Sequence, residues 1–195
     1  MIVVKLGGSL YDHPGLGEGL RHWIENLTPP VLLVPGGGKF ADAVRELDRV
    51  HSLGEETSHW LALRSVTLAA AFVMTRLPGS VLVARPGTSF RLGVLDGHAF
   101  GKLDQGFSES LPHSWDATTD SLAARAATAF RADRLILLKS VDIPTGTSWG
   151  EAVESGWVDL HFPRAVDRGD YAVETLNFRT WLDRRDAEFP WEREG

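Results

Sequence analysis

The sequence predicts an α/β fold, a three-layer αβα sandwich around a mainly parallel central sheet, and three observations carry that expectation. Ile2–Leu6 and Val31–Val34 are short apolar runs without polar alternation, as strands buried on both faces are. Each run ends in glycines, Gly7-Gly8 and Gly36-Gly37-Gly38, and each is followed by apolar residues at helical spacing. Strand, loop and helix repeated in this order imply parallel strands joined by covering helices. No internal repeat, low-complexity tract or linker interrupts residues 1–195, so one domain with a substantial core is expected.

Taken in order, Ile2–Leu6 is the first strand, and Leu16, Leu20, Trp23, Ile24 and Leu27 mark a helix face over Leu16–Leu27 that Pro29-Pro30 stops. Val31–Val34 is the second strand, followed by a helix whose face carries Ala41, Val44, Leu47 and Val50. A longer helix spans Ser58 to Leu77, Ser80–Ala84 reads as a strand, and Val94-Leu95 as a short one within the weakly periodic stretch Arg85–Pro112. The alanine-rich segment Asp120–Phe130 is helical and Leu135–Leu138 is another buried strand. Beyond it, Pro144–Gly150 reads as loop, Val158–Phe162 as extended, Tyr171–Thr175 as a strand and Phe178–Arg185 as a closing helix.

Composition narrows the function classes. Hydrophobic residues make up 43% of the chain and charged residues 24%, with a formal net charge of −6 and no Lys/Arg run. Nucleic acid and anionic membranes are therefore disfavoured as partners, since both call for clustered positive charge. An acidic protein that binds anions must concentrate positive potential locally, through backbone N–H groups and a few placed lysines. Cysteine is absent, which excludes disulfides and thiolate metal sites. The seven histidines are scattered without ligand spacing, so no structural or catalytic metal site is expected. Met-Ile-Val-Val-Lys does not read as a signal peptide and no segment has the length of a membrane span, so a cytoplasmic location is expected.

Both glycine loops fall at the carboxyl ends of strands, where ligands of open α/β sheets bind. Lys5-Leu6-Gly7-Gly8-Ser9 and Gly36-Gly37-Gly38 let the backbone approach an anion and aim N–H groups at it, and Lys5 adds a full positive charge. For one such loop a simple tight turn is the better reading; for two in succession, one with a strand-end lysine, anion binding becomes the better one. Neither loop has the spacing G-x-x-x-x-G-K-[ST] or G-x-G-x-x-G, which disfavours a P-loop and a dinucleotide site.

Val4-Lys5-Leu6-Gly7-Gly8-Ser9, Val34-Pro35-Gly36-Gly37-Gly38 and Thr118-Thr119-Asp120 occur in the order and at roughly the separations of the amino-acid-kinase superfamily, which the chain resembles. The resemblance implies the carbamate-kinase-like fold of that family and an ATP-dependent phosphotransferase. Within the superfamily, His113–Leu122, Thr57–Ala62 and Phe162-Pro163 are similar to the small kinase of methanofuran biosynthesis, which phosphorylates an aminomethyl-furan methyl phosphate in one-carbon metabolism. Other acceptors (an isopentenyl-type phosphate, a nucleotide, an amino acid) stay open, as does a degenerate ligand-binding module without catalysis.

Carried onto this sequence, the resemblance makes Lys5 the residue that stabilises charge on the transferred phosphoryl group and Asp120 the organiser that holds Lys5 in register. Gly7, Gly8 and Ser9 would hold the ATP phosphates, with Mg²⁺ arriving on those phosphates. Gly36, Gly37, Gly38 and His59 would face the acceptor, and His113 and Trp115 either line its pocket or simply pack. Asp116, Thr118 and Asp120, two residues apart, share a face if the segment is extended, which would turn Asp116 and Thr118 toward the acceptor too. Asp120 also reads as a helix N-cap, and His59 and Asp116 equally read as an ordinary helix histidine and a solvated acid. The family pattern Thr-Asp-Val-Asp-Gly is here Lys139-Ser140-Val141-Asp142-Ile143. Lys139 then either serves the ATP phosphates, together with Asp142, or is a solvated strand-end lysine. The family's Asn-Gly turn is Asn177-Phe178, and no clear final strand pair follows to Trp191. A homodimer is the family's implication for assembly.

Overall fold

Six strands form one sheet in the computed structural model, which describes residues 1–188. They are β1 (Ile2–Leu6), β2 (Val31–Pro35), β3 (Val81–Val83), β4 (Leu92–Leu95), β5 (Arg134–Lys139) and β6 (Ala172–Asn177). Their order is β3-β4-β2-β1-β5-β6 and every pairing is parallel. The α-helices among the described residues are α1 (Leu16–Glu25), α2 (Gly38–His51), α3 (Glu55–Met74), α4 (Gly97–Asp104), α5 (Thr119–Ala129), α6 (Trp149–Glu154), α7 (Phe162–Val166) and α8 (Phe178–Glu188). None is long and apolar enough to cross a membrane.

Strand residues alternate between the two faces of the sheet, and both faces are covered. Val3, Leu32, Val34, Leu135 and Leu137 pack with Phe100, Leu122, Ala126 and Phe162 on the side of α4, α5 and α7. Ile2, Val4, Leu33, Ile136 and Leu138 pack with Leu20, Ile24, Phe178 and Leu182 on the side of α1 and α8. Helix α3 serves both clusters, through Leu63 and Val66 to one and Ala70 and Val73 to the other.

Several boundaries differ from those the sequence predicts. The stretch 144–150 is not all loop: α6 begins at Trp149, because Ser148 and Glu151 form a reciprocal capping box. Val158–Phe162 is not extended; it turns into α7, with proline in that helix's first positions. The weakly periodic stretch 85–112 contains α4, capped where the Asp96 side chain accepts from Ala99 N–H. After β6 the chain enters α8 directly, since the Asn177 side chain accepts from Thr180 N–H at 3.0 Å. No strand follows β6 among the described residues, and Trp191 lies outside them.

Candidate active site

Strand parity builds the centre of the site. Lys5 shares the face of Val3, and Lys139 shares the face of Leu135 and Leu137, so two neighbouring strands deliver both ammonium groups beneath α5. The first turn of α5 supplies Asp120 between them. Lys5 Nζ lies 2.8 Å from Asp120 Oδ1, and Lys139 Nζ donates to Asp120 Oδ1 at 2.7 Å, to Oδ2 at 2.8 Å and to the Trp157 carbonyl at 2.7 Å. All three side chains are buried, with residue exposures of 5% for Lys5, 6% for Asp120 and 7% for Lys139. Lys139 is therefore not a solvated strand-end lysine.

Burial alone would raise the Asp120 carboxyl, but Lys5 and Lys139 beside it hold it below the usual carboxylate range. Burial, with Lys5 alongside, pushes the Lys139 ammonium down to about 8 against the opposing pull of Asp120. Asp120 is not the helix cap the sequence suggests. Thr118 occupies that position, with φ −111° and ψ −154°, and the capping carboxylate comes from Asp159. Asp159 accepts from Thr118 N–H at 2.9 Å, Thr118 Oγ1 at 2.9 Å and Ser121 N–H at 3.0 Å, and from the Ser121 hydroxyl. Because the α6–α7 connection caps α5, the Asp120 carboxylate is left to the two lysines.

The glycine loops press against each other as well as turning. Gly7 N–H donates to the Leu138 carbonyl at 2.9 Å and Gly36 N–H to the Leu6 carbonyl at 2.7 Å, which ties both loops to the strand ends. A Cβ on Gly8 would stand 2.3 Å from Gly38 N, and one on Gly36 2.5 Å from Gly8 N. Gly38 has φ +50°, a conformation most residues avoid. The Tyr11 hydroxyl donates to the Gly36 carbonyl at 2.6 Å, locking the second loop to the chain that follows the first.

Both loops open on a cavity of about 700 Å³. Gly8, Ser9 and Gly36–Gly38 line one part, and Tyr11, Phe40, Phe72 and Trp115 give it an aromatic wall. His59 and Thr118 also line it, so these two predicted acceptor residues do meet the loops. Asp116 does not. It is exposed and sits in a turn rather than an extended segment, its carbonyl accepting from His161 N–H at 3.0 Å. Asp142 is exposed as well and accepts from Asn177 Nδ2 at 3.0 Å, away from the cavity wall. Burial and the adjacent His113, whose ring stacks on it at 4.1 Å, push His59 down to about 4. At neutral pH His59 is thus a neutral hydrogen-bonding group in the wall, not a cation.

Sequence reasoning missed Asp159, Tyr11 and Arg179. Trp115 is seated by its Nε1–H bond to Asp48 at 2.9 Å and by the Arg45 guanidinium 4.8 Å from its ring centroid. No spacing rule pointed to Asp159, Tyr11 or Arg179, because their partners lie far away in sequence. For Lys139 the signal was present: its parity with Leu135 and Leu137 places it on the buried face of Lys5.

Comparison with known proteins places the family and the fold. Residues 1–143 match the profile of the amino acid kinase family. The chain is 36% identical over 69 residues to the [5-(aminomethyl)furan-3-yl]methyl phosphate kinase of Methanocaldococcus jannaschii, a stretch covering 35% of this chain and 32% of that relative. The alignment thus spans about a third of the relative's length. Among solved structures, uridylate kinase from Archaeoglobus fulgidus superposes with a TM-score of 0.60 at 17% identity, over 94% of this chain and 96% of the other. UMP kinase from Ureaplasma parvum gives 0.62 at 13% identity, over 96% and 93%. At these identities the two structures speak to the fold alone.

Proposed function

The chain belongs to the amino acid kinase family, and from that premise we propose that it is an ATP-dependent kinase whose acceptor is a small phosphate monoester. The relative from M. jannaschii names the acceptor we favour, [5-(aminomethyl)furan-3-yl]methyl phosphate. The observation that carries the reading is the buried Lys5–Asp120–Lys139 cluster at the strand ends bearing the first glycine loop. Phosphoryl transfer asks for positioning and positive charge rather than a strong base. Here the one carboxylate of the cluster is committed to two lysines and serves to hold them.

In the proposed reaction an oxygen of the acceptor phosphate attacks the γ-phosphorus and forms a new P–O bond. The bond to the β–γ bridging oxygen breaks, and ADP leaves with its electron pair. A phosphate monoester is largely deprotonated at neutral pH, so no side chain need take a proton. Lys5, nearest the first loop in sequence, offers its charge to the transferred group, while Asp120 and Lys139 fix its position. The loop N–H groups and lysines are donors suited to phosphate oxygens, which supports ATP as the ligand. Mg²⁺ bound to the ATP phosphates would supply further charge neutralisation with little help from protein carboxylates. The aromatic wall of Tyr11, Phe40, Phe72 and Trp115 favours an acceptor with a flat apolar ring.

An ADP-release assay over candidate phosphate monoesters tests the acceptor, and turnover is expected with the furan phosphate. Calorimetric titration of an ATP analogue with Mg²⁺ tests the donor; absence of binding would sink the kinase reading.

A further inference from the structure

A separate group of charges lines the cavity itself, away from the buried lysine cluster. Arg179, from the first turn of α8, donates from Nη2 to the Ser9 carbonyl at 2.6 Å and to Asp12 Oδ1 at 2.6 Å. Lys39 directly follows the second glycine loop, and Asp12, Lys39 and Arg179 all face the cavity. The Arg179 bond, with the charges of Arg179 and Lys39, holds the Asp12 carboxyl below the usual range. One carboxylate therefore lies under the influence of two cations, one fastened to each glycine loop's flank.

We propose that Arg179, flanked by Lys39, is a binding residue for a chain of contiguous phosphates, and that Asp12 is an internal stand-in that such a ligand displaces. The identity of the ligand as the ATP polyphosphate rests on the kinase reading; the anion site does not. Charge supports the assignment. Two lysines and one aspartate leave the buried cluster with one net positive charge, far less than a polyphosphate carries. The guanidinium has five N–H donors, and both of its bonds among the described residues leave from Nη2. Each two-pronged edge of a guanidinium includes Nη2, so phosphate oxygens gain bidentate contact with Arg179 where they replace Asp12. Arg45, another guanidinium in the wall, is committed to Asp42 at 2.9 Å and to the Trp115 ring. The hydroxyls of Ser9 and Ser140, 2.8 Å apart, add neutral donors beside Arg179's anchor on Ser9.

A plain surface ion pair would tie α8 to the 3-10 turn Gly8–Asp12 and do no more. The two readings differ in sign. If Asp12 competes with the ligand, Asp12→Asn tightens phosphate binding while Arg179→Ala weakens it; if the pair only supports structure, both substitutions weaken it. The experiment is calorimetric titration of inorganic tripolyphosphate into the full chain and its variants, with ADP release measured in parallel. Arg179→Ala is expected to raise the tripolyphosphate Kd about tenfold or more, the loss of a charge-assisted hydrogen-bonding group. Arg179→Lys should fall between, and Asp12→Asn should lower the Kd severalfold. Arg134→Ala breaks a similar exposed ion pair, with Glu174, on the sheet's far end and should change nothing. Unaltered affinity in Arg179→Ala, weaker binding in Asp12→Asn, or no tripolyphosphate binding by the parent chain would overturn the proposal. Tripolyphosphate binding with these variant effects but no ADP release would instead overturn the kinase reading and leave the anion site standing.

Discussion

An ammonium group buried beside another ammonium group gives up its proton early, and Lys139, at about 8, does so within the ordinary assay range. Its folded value lies below the ordinary lysine value of about 10.4, so the native state carries the charge only below about pH 8. We expect kcat/KM to fall as pH rises through about 8, and Lys139→Arg to move that limb upward because a guanidinium keeps its proton. Stability moves the other way. Between about 8 and the unfolded value the unfolded chain binds the extra proton, so Lys139's contribution to stability rises with pH. A pH–rate profile that is flat from 7 to 9.5 would exclude the assignment. Lys5→Ala should lower turnover by about 10²–10³-fold, the scale of losing one transition-state donor, while the circular dichroism spectrum stays native. Retained turnover would remove Lys5 from its proposed role.

At the scale of elements, α5 is placed by a residue on neither of its flanking strands. Asp159→Ala leaves Thr118 N–H and Ser121 N–H without their acceptor, and should cost about 1–2 kcal/mol, as lost helix caps do. Turnover should drop with it, because Asp120 rides on that first turn; a denaturant midpoint and a rate measured on one sample check both. The loops make a second case. Gly8→Ala would drive a Cβ into the backbone of Gly38 and should destabilise the chain by about 1–3 kcal/mol, as overpacking does. These elements also divide what was legible in the sequence from what was not. Strands and long helices show in local apolar patterns, and β1, β2, β5 and α2 appear where Ile2–Leu6, Val31–Val34, Leu135–Leu138 and Ala41–Val50 place them. Gly8 and Gly38 were readable as loop glycines, yet their contact was not, because it joins two turns 30 residues apart. Asp116 failed for a related reason: its segment turns because His161 N–H binds its carbonyl from a distant part of the chain.

For the whole molecule, the single sheet is shared by both core clusters, so neither can come apart alone. Trp181 packs against the α1/α8 side and Trp149 against the α5/α7 side. Single-domain behaviour then requires tryptophan fluorescence, which reads both layers, and circular dichroism to give coincident unfolding transitions. Two separated midpoints would divide the chain into independent units. The parity that sets Lys5 and Lys139 side by side has one more consequence. If β5 slid by one residue along β1, Leu138 would face Asp120 and Lys139 would be driven into the apolar layer beneath α1 and α8. Mispaired chains could keep their helices and much of their bulk and still do no chemistry. Specific activity per milligram is therefore a quality gauge for refolded material, counting the molecules whose strands are aligned.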